Sequence, residues 1–168
     1  ETDIQLSPAK KIIKNLQDLC AKIHIYDPYF ISEKPYDIPT EKNLYLDGEA
    51  TIEWILKNTK FNTEDIINYG ESLGSGVAVE LNLKYDFLCT VLEAPFTSIA
   101  DVANKRYKIY PTKFLVKDKF DNLSKIDKIK SPLLIISGTK DEVVPHFHSK
   151  LIFNKAKGPK KSPVSYTH

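Results

Sequence analysis

The chain has 168 residues, 24 Lys and Arg against 22 Asp and Glu, a formal net charge of +2 and 42% apolar residues. That length suits one domain with its own core, and the balanced, interspersed charge makes a weak electrostatic case for nucleic acid or an anionic membrane surface. Cys20 and Cys89 are its two cysteines, which is no disulfide framework and points to buried thiols in a reducing, cytoplasmic setting.

No apolar run approaches the roughly 20 residues of a bilayer span, and nothing reads as a signal peptide. The chain starts at Glu1 rather than Met, so a preceding segment with targeting information stays open. The first helix is expected from Pro8 to Ala21, where Ile12, Ile13, Leu16, Leu19 and Cys20 recur at helical spacing behind Ser7 as N-cap. Lys22–Asp27 alternates as a short strand, and the stretch from Pro28 to Pro39 reads as irregular loop. A second helix opens at Thr40-Glu41-Lys42 and ends near Asn58, with Leu44, Ala50, Ile52, Trp54, Ile55 and Leu56 on its apolar face. Asp65–Tyr69 is a strand, Leu73–Leu83 a helix, and Phe87–Glu93 a nearly continuous apolar strand of the kind buried in a parallel sheet.

Phe96–Asn122 is less regular and resembles a lid. A helix is expected over Asn122–Ile129, the strongest strand over Pro132–Ser137, a last helix over Phe147–Lys157 and a final strand around Val164–Tyr166. Alternating strands and helices of these lengths call for a parallel sheet covered on both faces.

One motif carries chemistry. Gly70-Glu71-Ser72-Leu73-Gly74 is a G-x-S-x-G run lying between a strand and a helix, the context of a nucleophile elbow. A serine on that sharp turn stands at a helix N-terminus, and the Leu73 N–H points where an oxyanion would form. Gly70 and Gly74 are expected because side chains there would collide at the tight crossing. The plain alternative is a Gly-rich turn with Ser72 as a helix cap. A phosphate loop is disfavoured, since Gly70, Gly74 and Gly76 do not make G-x-G-x-x-G and no Gly-Lys-Ser/Thr follows.

Tyr69–Leu81 (YGESLGSGVAVEL), Leu92–Ala103 (LEAPFTSIADVA) and Ser131–Pro145 (SPLLIISGTKDEVVP) resemble, in order, landmarks of single-domain α/β-hydrolase-fold serine hydrolases, in the small esterase-like and acyl-hydrolase-like branch. The resemblance implies an α/β fold: a three-layer sandwich with a mostly parallel sheet, truncated on its N-terminal side. The expected organisation is one domain over 1–168 with a small cap-like insertion around 96–121. It implies Ser72 as nucleophile, the Leu73 N–H as oxyanion donor, Asp141 as the acid and Phe96 and Val144 in the substrate pocket. The order Ser, Asp, His leaves His146, His148 and His168 as bases. His168, 27 residues beyond Asp141, has the spacing of the family's histidine.

The implied reaction is cleavage of a small carboxylic ester or thioester through an acyl-enzyme, without metal or organic cofactor; oligomeric state is not legible. The chain departs from the family pattern in three places. Three strands expected before Ser7 are missing, Pro28–Pro39 lacks the usual glycines, and SPVSYTH places Pro163 in a would-be strand without a Gly-rich turn before His168. Those departures support the alternative of a degenerate hydrolase-fold protein acting as a binding module.

Overall fold

The computed structural model describes residues 40–106, 111 and 115–166, all in the second of two compact units, Glu1–Pro35 and Tyr36–His168. The helix expected from Pro8, the strand Lys22–Asp27, the loop Pro28–Pro39, Cys20 and His168 lie outside the described residues.

Helix α1 spans Glu41–Asn58. Thr40 caps it by accepting the Asn43 N–H on its hydroxyl at 3.2 Å, the satisfaction of an orphan helix donor that an N-cap supplies. Its inward stripe is Leu44, Tyr45, Gly48, Ile52 and Ile55, while Ala50, Trp54 and Leu56 face out. Trp54 is 57% exposed. The apolar face read from sequence was therefore rotated, because Gly48 carries no hydrophobic signal yet is where the helices come closest. A Cβ on Gly48 would stand 2.9 Å from Val77 Cγ1 and 3.2 Å from Leu81 Cδ1.

Strand β1 runs Ile67–Glu71, helix α2 Leu73–Leu81 and strand β2 Cys89–Glu93. The first strand begins two residues later than expected, because Thr63–Asp65 closes a 3-10 turn in which the Asp65 carboxylate accepts the Asn62 N–H at 2.9 Å. Cys89 is half-buried rather than buried. Helix α3 spans Ile99–Arg106, strand β3 Leu133–Gly138, helix α4 Phe147–Lys155 and strand β4 Lys160–Tyr166. The helix expected over Asn122–Ile129 is instead a turn followed by one 3-10 turn, Ile126–Lys128. Ser124 N–H donates to the Asp121 side chain at 3.1 Å and Asn122 Nδ2 to the Phe96 carbonyl at 3.0 Å; such side-chain bonds compete with helix formation.

The four strands form one sheet in the order β1-β2-β3-β4, and every pair is parallel. On one face Leu92, Leu133 and Ile135 meet Ala78 and Val79 of α2 and Ile152 of α4. Val91 and Ile136, pointing the other way, are buried as well, so both faces are covered as a parallel sheet requires. Strand β4 is four residues longer at its start than expected. Its partners step from Leu134↔Lys161 to Ile136↔Val164, one residue more on β4 than on β3. A bulge there absorbs Pro163, which has no N–H to give a regular ladder.

Candidate active site

Parallel pairing puts the C-terminal ends of all four strands along one edge. Glu71 is level with Glu93, Glu93 with Ile136, and Gly138 with Tyr166. Ser72 follows the first of those ends and Asp141 the third, with β2 between them.

Ser72 has φ 49° and ψ −117°, a conformation that L residues adopt only where the surroundings impose it. Its own N–H donates to the Glu93 carbonyl at 2.9 Å, tying the turn to the end of β2. Glu93 is buried, and its carboxylate accepts the Tyr69 hydroxyl. The crossing of strand and helix is tightest at Gly70, where a Cβ would stand 2.4 Å from the Gly74 carbonyl oxygen. Gly74 differs from expectation: a Cβ there meets nothing within 4 Å, since that position turns away from the strand. The steric role falls instead on Gly76, where a Cβ would lie 2.6 Å from Phe120 Cδ1.

The serine is exposed and stands at the N-cap position of α2 without a capping bond from its side chain. The α2 turn is closed instead by Ser75, whose hydroxyl donates to the Ser72 carbonyl at 2.6 Å. Leu73, the first residue of α2, has no intrahelical acceptor for its N–H. That donor therefore stands beside the serine hydroxyl at the positive end of the helix dipole.

Asp141 sits in the turn after β3. Its Oδ1 accepts the N–H groups of Val143 at 2.9 Å and Val144 at 2.8 Å, so the aspartate shapes its own loop. Among the described residues Oδ2 has no such bond. A carboxylate has lone pairs for both tasks, and turn-forming does not compete with holding an imidazole. Glu142 is exposed.

Two histidines after Asp141 are held elsewhere. His146 Nδ1 is 2.8 Å from Ser137 Oγ, pinning the start of α4 to β3. His148 is fully buried: its Nδ1 is 2.9 Å from Thr97 Oγ1, and that hydroxyl donates to Asp101 Oδ2 at 2.7 Å. Among the described residues His148 Nε2 has no partner. Burial pulls its imidazole below the ordinary value, partly opposed by the Asp101 carboxylate and reinforced by Lys105. Phe96 and Val144 are brought together, but with Phe120, in a buried cluster beside Val77. Neither lines the cleft bounded by Glu41, Tyr45 and Glu80 or the one bounded by Ser98, Asp101 and Lys119.

The close approach of Phe120 to Gly76 escaped the sequence reading. A glycine inside α2 was the available signal, since an interior helix glycine without a turn role marks a close approach.

No protein-family model matches the chain. Over 123 residues it is 40% identical to human alpha/beta hydrolase domain-containing protein 17B, covering 72% of this chain and 41% of that protein. The chain belongs to the α/β-hydrolase fold. Among solved structures, an acetyl xylan esterase from Paenibacillus sp. R4 superposes with a TM-score of 0.60 at 19% identity, over 76% of this chain and 47% of that one. A sugar hydrolase from Lactococcus lactis gives a TM-score of 0.62 at 18% identity, over 81% and 59% respectively. The α/β-hydrolase chain here thus spans less than half the length of the human relative. Among the described residues no helix is long and apolar enough to cross a membrane.

Proposed function

We propose that this α/β-hydrolase chain carries the nucleophile and acid of a serine hydrolase that cleaves a small carboxylic ester or thioester. The observation that carries the reading is Ser72: a left-handed, exposed, uncapped serine at the start of α2, beside a helix-terminal N–H. Its hydroxyl oxygen attacks the acyl carbonyl carbon as its proton passes to a histidine. The tetrahedral oxyanion is stabilised by the Leu73 N–H, and the leaving group departs with the proton from the imidazolium. Water then attacks the acyl-serine by the same base and releases the acid.

In this reading Asp141 Oδ2 orients the histidine, and His168 is the base. The support for His168 is that β4 ends at Tyr166, level with Gly138, so the chain leaves the sheet at the edge where Asp141 sits. A cap-like role for the segment around 96–121, a pocket role for Phe96 and Val144, and a reducing, cytoplasmic setting belong to the same proposal.

The test is labelling of the folded chain with a fluorophosphonate probe. Wild type is expected to label and Ser72→Ala to lose labelling with an unchanged circular dichroism spectrum. A folded wild-type chain that does not label would sink the reading and leave a binding module with a hydrolase fold.

A further inference from the structure

We propose that Phe120 is a positioning residue for both Ser72 and Asp141, an inference that rests on the reading of Ser72 as nucleophile. Phe120 is 3% exposed and has φ 42°, a conformation costly for a bulky L residue. A ring needed only to fill space could come from a residue in an ordinary conformation. Here the backbone is bent so that the side chain packs closely on Gly76, where an added Cβ would stand 2.6 Å from Phe120 Cδ1, four residues along the chain from Ser72.

The bend is held from several sides. Lys119 N–H donates to Glu41 Oε2 at 2.7 Å and Glu41 N–H to Asp118 Oδ1 at 2.9 Å, a reciprocal clamp between this segment and the start of α1. The Lys119 carbonyl accepts the Ile99 N–H at 2.8 Å, and the Phe120 carbonyl accepts the Asn122 N–H at 2.8 Å. Tyr45 meets the ring edge to face, with centroids 5.5 Å apart. Strain held by this many contacts is characteristic of sites whose geometry matters.

The cluster that holds this ring also includes a residue of the Asp141 turn. Phe120 packs in one buried cluster with Phe96 and Val144, and the Val144 N–H is one of the two donors that fix Asp141 Oδ1. One side chain therefore bears on the helix that presents the nucleophile and on the turn that presents the acid. Catalysis is sensitive to misplacement of reacting groups by about 1 Å, which can cost on the order of 10²-fold, whereas a small acyl substrate is bound mainly by its own pocket.

The experiment measures p-nitrophenyl ester hydrolysis and the fluorophosphonate labelling rate for wild type, Phe120→Leu, Gly76→Ala and the double variant. Phe120→Leu keeps an apolar filling but loses the ring; Gly76→Ala keeps the ring but forces it away from the helix. Each is expected to lower kcat and the labelling rate by about 10-fold or more with KM within about two-fold. The double variant is expected to lose less than the product of the two, because both act on one contact. Folded variants that keep wild-type kcat, KM and labelling rate, with only a lower melting temperature, would overturn the inference. If wild type itself is silent in both assays, the Ser72 reading has failed, and this inference falls with it. Gly76→Ala decides the matter if Phe120→Leu does not fold.

Discussion

Ser72 is held at φ 49° and ψ −117° by the ladder below it, the Glu93 carbonyl beside it and the helix above it. Holding an L residue there costs about 1–3 kcal/mol, and glycine adopts positive φ readily. Ser72→Gly is therefore expected to raise the urea-unfolding free energy by about 1 kcal/mol while abolishing fluorophosphonate labelling. A variant that is less stable than wild type would show that the serine hydroxyl contributes more to the fold than its exposure suggests. Gly70 and Ser72 were both legible in the sequence because G-x-S-x-G between a strand and a helix describes a local event. Gly74 was misread for the opposite reason: whether a Cβ collides depends on where the neighbouring backbone lies, and a pentapeptide does not contain that information.

At the scale of elements, the loop after β2, helix α3 and helix α4 are joined through His148. Its ring stacks on Phe147 at 4.1 Å and its Nδ1 meets Thr97, while Asp101 and Lys105 of α3 are the charged groups that face it. Burial lowers the folded-state pKa below the unfolded value of about 6.5, so as pH falls the unfolded chain takes up this proton first. The stabilisation is complete above about pH 6.5 and is lost as pH falls from there through the folded value. The urea midpoint is expected to drop between about pH 7.5 and 5.5, and to drop less in His148→Gln. Equal drops in the two proteins would show that His148 does not couple these elements to pH. Helix α1 shows the limit of periodicity at this scale. Trp54 and Leu56 were read onto the apolar face yet are 57% and 37% exposed, because the partner helix α2 is met through Gly48.

For the molecule as a whole, the parallel sheet is what brings distant parts of the chain to one edge. Ser72 and Asp141 are 69 residues apart, and both follow strand ends on that edge. The base is expected to join them there. His168→Ala should reduce p-nitrophenyl acetate hydrolysis by about 10³-fold or more, while His146→Ala, whose ring is engaged with Ser137, should change it little. If His168→Ala is unchanged and His148→Ala removes activity, the base has been placed wrongly.

The sequence by itself determined the α/β alternation, the sharp strand-to-helix turn at Ser72 and the turn that holds Asp141 after the third strand. Each is written in contiguous residues whose spacing, glycines and turn-formers act over one or two turns of chain. The tertiary structure decided the rest: that Gly76 rather than Gly74 is the tight contact, that Phe120 is bent onto it, that His148 is sealed in the core, and that a bulge absorbs Pro163. Each depends on how close two distant backbones come, a distance set by the packing of the whole sheet and its helices.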